Sequence, residues 1–161
     1  MPVIVVTDTS PIRALNHVGL MGLCQSMYGQ VIVPAIVAQE LRRPTLTCPA
    51  IEITDFPGFS VHAPESKQPL NIPNDLDAGE TQALWLAMEM HADLILIDER
   101  RGTAAALKLG LVAVGVLGML LEAKREGLIG PVLPLVDRLI AEQHFFVSPK
   151  LRQHIRQLAG E

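Results

Sequence analysis

Residues 3–11 read VIVVTDTSP, and residues 94–101 read LILIDERR. Val3 to Val6 and Leu94 to Ile97 are apolar at successive positions instead of alternate ones, the pattern of strands buried on both faces. Such strands belong to a parallel sheet with helices on either side. Each run ends on an aspartate, Asp8 or Asp98, and Ser10-Pro11 places a helix start after the first, because proline suits the first helical position. Outward from these two strands, the chain alternates strand and helix. A helix is expected over Pro11–Val18, followed by a glycine-bounded stretch up to Gly29 to which no element is assigned. Val31-Ile32-Val33 is a second strand, with a helix opened by Pro34. Residues 43–75 are proline-rich and read as an irregular insertion with one short strand at Ser60-Val61-His62. The rest is predicted as a helix over Ala78–His91, a short helix over Ala104–Leu109, a strand over Leu111–Val116, and helices over Leu117–Arg125, Leu133–Glu142 and Lys150–Leu158.

Length and composition agree with one α/β domain spanning residues 1–161. The chain is 49% hydrophobic, which suffices for a full core, and only 4% aromatic, so Leu, Ile, Val, Ala and Met must fill it. The two cysteines, Cys24 and Cys48, have no metal-ligand spacing and make no disulfide framework, which points to a reducing, cytoplasmic setting. The longest apolar run, Leu111–Leu121, is too short to cross a bilayer, and the first residues lack the basic start of a signal peptide. A formal net charge of −4 argues against an obligate, non-specific nucleic-acid coat protein, which binds by releasing counterions from phosphates. It leaves room for an enzyme whose carboxylates hold a cation.

Ligands of open α/β sheets bind beyond the carboxyl ends of the strands. Asp8 and Asp98 both sit there, although a lone aspartate after a strand often only starts a turn. Glu40 follows Ile36 and Val37 by four and three residues, inside the apolar stripe of its helix, where a carboxylate is costly without a cation or hydrogen bonds. Asp77 and Glu80 have the spacing of a helix cap and its partner, so capping alone explains both; Glu80 can alternatively join the site from the first helical turn. Ser10 is either the cap of the first helix or a hydroxyl beside Asp8. Asp93 precedes its strand and belongs at the opposite edge. The histidines show no zinc-ligand spacing, and no glycine-rich nucleotide loop occurs. Oxygen ligands without sulfur or imidazole suit Mg²⁺ or Mn²⁺ and phosphodiester hydrolysis.

Taken together, VIVVTDTSP (3–11), VPAIVAQEL (33–41), LDAGETQAL (76–84) and LILIDERR (94–101) resemble the PIN domain, and the tail with Phe146-Val147-Ser148-Pro149 is similar to prokaryotic PIN proteins related to the VapC toxins. The resemblance implies a three-layer α/β/α sandwich with a central parallel sheet. It also implies an Mg²⁺- or Mn²⁺-dependent ribonuclease of the toxin-antitoxin type, with RNA as substrate, a small antitoxin protein as partner and frequent homodimers. It carries over Asp8, Glu40 and Asp98 as metal ligands and Glu80 as a further catalytic acid. Ser10, Asp77 and Glu99 become supporting residues, and Arg100 and Arg101 substrate-binding ones. One departure is plain: the acidic residue that the family often has after the strand at 111–116 is missing, since Gly115, Val116, Leu117 and Gly118 stand there. That departure favours a rival expectation, a catalytically weak module that binds RNA or a protein. Phosphoryl transfer through an aspartyl intermediate at Asp8 is a weaker alternative, because Ser10 stands where a second aspartate is needed.

Overall fold

In the computed structural model, which describes residues 3–161, the strands are β1 (Val5–Thr7), β2 (Val31–Pro34), β3 (Phe59–His62), β4 (Leu94–Leu96) and β5 (Ala113–Val114). They form one sheet in the order β3-β2-β1-β4-β5, and every pairing is parallel. The helices are α1 (Thr9–His17), α2 (Gly22–Tyr28), α3 (Ala35–Leu41), α4 (Ala78–Glu89), α5 (Arg100–Lys108), α6 (Val116–Arg125), α7 (Leu133–Gln143) and α8 (Pro149–Ala159).

The apolar runs explain the three layers. Successive strand residues point to opposite faces, so Val5 and Leu96 enter one core while Val6, Ile95 and Ile97 enter the other. The first core takes Ile12 and Leu15 of α1, Val37 and Leu41 of α3, Met119 and Leu120 of α6, Leu139 of α7 and Ile155 of α8. The second takes Ala83, Leu84, Leu86 and Ala87 of α4 with Ala105 and Ala106 of α5. Each large side chain fully withdrawn from water contributes about 1.5–3 kcal/mol, so both faces of the sheet are held.

Several expectations need correction. α2 forms where no element was expected, because Leu23 and Cys24 turn inward against the first core. The region 43–75 is less of an insertion than its prolines suggest. The one strand predicted there is the edge strand β3, as expected, but Ile51, Ile53 and Ile72 are buried, so the region is packed into the fold. β5 is only two residues long, and Val116 already belongs to α6. α5 starts at Arg100 instead of Ala104, so Arg100 and Arg101 form its first turn. Gly102 hid that turn: a glycine weakens a helix, but here a Cβ would overlap the Ile97 side chain, so close packing requires it. Asp93 does lie at the amino edge, accepting the Ile4 backbone N–H at 2.8 Å.

A candidate carboxylate centre at the carboxyl edge

The strand order reverses between β1 and β4, since β1 is followed in space by β2 on one side and by β4 on the other. Thr7 is in register with Leu96, and the Asp8 backbone N–H donates to Leu96 O at 2.8 Å. Asp8 and Asp98 therefore leave neighbouring strands at the crevice where such sheets bind ligands.

Asp8 is 3% exposed. Burial is the largest influence on its carboxyl and pushes the pKa up to about 7, against a hydrogen bond from the Thr9 backbone; Asp77, Glu40 and Glu99 add repulsion in the same upward direction. Glu80 is 7% exposed and is raised to about 8, again mainly by burial, then by its hydrogen bond with Asp77 and by the charges of Asp77, Asp8 and Glu99. Asp98 is raised to about 6 by burial, partly countered by the Val116 N–H. Three carboxyl groups at one edge are thus held away from their ionised forms, a condition that a cation would reverse.

Asp98 has two distinct oxygens. Oδ1 accepts the Val116 N–H at 3.0 Å and so caps α6 from across the edge. Oδ2 is buried and has no hydrogen-bond partner. A cap needs only the first oxygen, so a structural role alone leaves the second unexplained. Gly115 fits the same arrangement, because a Cβ there would stand 2.5 Å from Asp98 Oδ1. An acidic side chain at this position would require the Asp98 carboxylate to shift.

Glu40 is held by groups the sequence reading did not single out. The Thr9 hydroxyl donates to Glu40 Oε2. Arg13 Nη2 donates to the carbonyls of Glu40 at 2.7 Å and Arg43 at 2.9 Å, at the carboxyl end of α3 where a cation suits the helix dipole. Thr9 and Arg13 are four residues apart on one face of α1, and that spacing was the available signal. From α4, the Gln82 side chain accepts the Ile36 N–H at 2.8 Å and ties the start of α3 down. Gly79 completes the cradle, since a Cβ there would overlap the Glu40 carboxylate.

A Gly79→Ala variant is accordingly expected to fold normally. Alanine favours a helix by about 1 kcal/mol, and the flexible end of Glu40 can swing aside. Its displacement should leave the melting temperature unchanged or higher while lowering metal affinity about tenfold, readable by thermal melting and Mn²⁺ titration.

The remaining candidates separate. Asp77 accepts the Glu80 N–H at 2.8 Å, so it caps α4, as its spacing allowed. Ser10 does not cap α1; Asp8 occupies that position, and the Ser10 hydroxyl faces Glu99 Oε1 at 3.4 Å. Arg101 pairs with Asp75 at 3.5 Å on the exposed side, whereas Arg100 lines a groove with Asp98 and Glu99. Among the described residues, no three of the His, Cys, Asp and Glu side chains are already gathered as a metal cage. The acids are neighbours across an open crevice. Their donor chemistry and the unpartnered Asp98 Oδ2 nevertheless fit a hard divalent cation.

A family model described as a PIN domain matches residues 4–161. The chain belongs to the PIN domain family. Members are generally metal-dependent nucleases. No curated protein sequence matches the chain. Among solved structures it is similar to a PilT N-terminus domain protein from the hyperthermophilic archaeon Sulfolobus solfataricus, with a TM-score of 0.55 and 18% identity, over 74% of this chain and 92% of that one. That likeness bears on the fold and agrees with the parallel sheet of this PIN domain. No helix among the described residues is long and apolar enough to cross a membrane.

Proposed function

We propose that this PIN domain is a divalent-metal-dependent endoribonuclease, the toxin-type component of a toxin-antitoxin pair acting in the cytoplasm. The observation that carries the metal-dependent reading is the buried, unpartnered Asp98 Oδ2 past the end of β4, with an Asp8 carboxyl crowded by Asp77, Glu40 and Glu99 past the end of the neighbouring β1. Asp8, Glu40 and Asp98 would hold the ion, Mg²⁺ or Mn²⁺. When bound, such an ion polarises a phosphate oxygen and lowers the pKa of an attacking water.

The chain's own residues set the stage for hydrolysis, in which water adds to phosphorus and one P–O ester bond breaks. Thr9 and Arg13 hold Glu40 toward the crevice. Asp77 accepts the Glu80 N–H and fixes the first turn of α4, which keeps Glu80 at the site, where burial raises its carboxyl pKa. Glu99 takes the Ser10 hydroxyl and adds negative charge at the rim. Arg100 lies along the groove beside Asp98, where its guanidinium can steady the RNA backbone. Arg101, paired with Asp75, is a weaker choice for that role.

The test is cleavage of end-labelled single-stranded RNA by the purified chain. Cleavage is expected with Mn²⁺ or Mg²⁺ and none in EDTA; cleavage that persists in EDTA contradicts the proposal. A second reading, a PIN module that binds RNA or a protein without cutting, is favoured by Gly115 standing where a further acid is common in the family. Under that reading no RNA is cut with either metal.

A further inference from the structure

The groove that contains Asp98 continues past the acidic edge. It encloses about 660 Å³ and runs from Ser10, Asp98, Glu99 and Arg100 to Gln143 and Phe146. Phe146 is 88% exposed, so its ring gains little from folding.

Its exposure is built in by its neighbours. α7 ends at His144, which adopts the left-handed conformation at φ 55 and ψ 31 and turns the chain. The Phe145 N–H then donates to Leu139 O at 3.2 Å. Phe145 and Val147 pack against the first core, so the extended backbone throws Phe146 outward between them. Ser148 closes the segment by capping α8, accepting the Leu151 N–H at 3.1 Å. Another part of the lining is also fixed: Gln143 accepts the Cys48 thiol at 2.9 Å and donates to Thr47 O at 2.9 Å. The residues on either side hold the backbone in place, so the Phe146 ring is presented at the groove.

We infer that Phe146 is a base-stacking platform: a nucleotide flanking the scissile phosphate stacks on its ring. The inference rests on the nuclease reading for the position of the scissile phosphate. Charge supports nucleic acid as the occupant. The acidic end takes phosphate once it holds a cation, Arg100 follows along the wall, and the far end offers one aromatic face. Ser10, Gln143 and Arg100 place polar groups along a wall otherwise formed by Ala14, Leu117 and Leu151, so phosphate and base edges find partners between apolar side chains. A paired duplex has no free base face to offer, so the platform selects single strands.

The experiment measures binding and cleavage together. A short single-stranded RNA carrying a fluorescent adenine analogue is titrated with the full chain in Ca²⁺, where quenching reports stacking, and cleavage is followed in Mn²⁺. The wild type should quench the probe. Phe146→Ala should lose the quench, weaken RNA binding roughly tenfold and raise KM with kcat little changed, as expected when one base–aromatic stack is lost. Phe146→Trp should restore both signals and Phe146→Leu neither, while all three melt as the wild type does. Binding and quenching unaffected by Phe146→Ala, rescue by leucine equal to that by tryptophan, or binding of duplex as tight as single strand would overturn the inference. So would wild-type protein that binds no RNA, which would make Phe146 a contact for a protein. Quenching without cleavage in any metal leaves the platform standing and removes the nuclease reading; cleavage indifferent to Phe146 does the reverse.

Discussion

Asp98→Asn is expected to lower Mn²⁺-dependent RNA cleavage more than about a hundredfold while leaving the fold intact. Loss of an outer partner of a metal ligand typically costs 10–100-fold, and here a proposed ligand itself is altered. Asparagine keeps the volume and keeps an oxygen to accept the Val116 N–H, so the cap on α6 survives. What changes is Oδ2, the buried oxygen without a partner, which becomes an amide unable to hold a cation. Circular dichroism and the melting temperature separate the two roles: a merely structural Asp98 leaves cleavage near wild type in this variant. Asp98→Ala removes the cap as well and should lower the melting temperature in addition, by a few degrees.

The second large effect concerns stability without metal. Asp8, Glu80 and Asp98 have folded-state pKa values of about 7, 8 and 6, against 3.8, 4.5 and 3.8 for unperturbed groups. The folded chain therefore binds more protons than the unfolded one between about pH 4 and pH 8, and stability falls as pH rises through that window. For Asp8 alone, the displacement from 3.8 to about 7 corresponds to on the order of 4 kcal/mol. Opposing groups do not hide the effect, because Glu52 and Glu161 are lowered to about 2 by Arg42 and Lys124, and their contribution is lost only below about pH 4.5. In EDTA the melting temperature should drop on the order of 10 °C between pH 5 and pH 8. Asp8→Asn should melt higher than the wild type at pH 8 in EDTA, since asparagine keeps the volume and carries no charge to bury. Mn²⁺ at a hundred times its Kd should return about 2.7 kcal/mol to the wild type and little to the variant. A flat profile in EDTA, or a variant less stable at pH 8, would contradict the burial that sets these values.

The sheet and its acidic edge were legible because apolar runs and their terminal aspartates are local signals. Val3–Val6 and Leu94–Ile97 predict strands buried on both faces, and Asp8 and Asp98 follow them directly. Glu40 was legible as a carboxylate in an apolar stripe, and Asp77 as a cap. The supports of the site were not. Arg13 reaches a carbonyl on another helix, Gln82 caps a helix from which it is far in sequence, and Gly79 and Gly115 act through the space that they leave. Gly102 misled outright, because its cost to α5 is visible in the sequence and its packing against Ile97 is not. Ser10 misled for a related reason: proline is tolerated throughout the first turn, so Pro11 can be the third helical residue and the helix begins two residues earlier, with Asp8 at the N-cap position.

The central claim is that these carboxylates form a divalent metal centre, and direct Mn²⁺ titration followed by electron paramagnetic resonance near pH 7.5 tests it without any substrate. The account predicts saturable binding by the wild type that is strongly weakened in both Asp8→Asn and Asp98→Asn, with each variant still folded. Absence of saturable binding in the wild type, or undiminished binding in both variants, would contradict it.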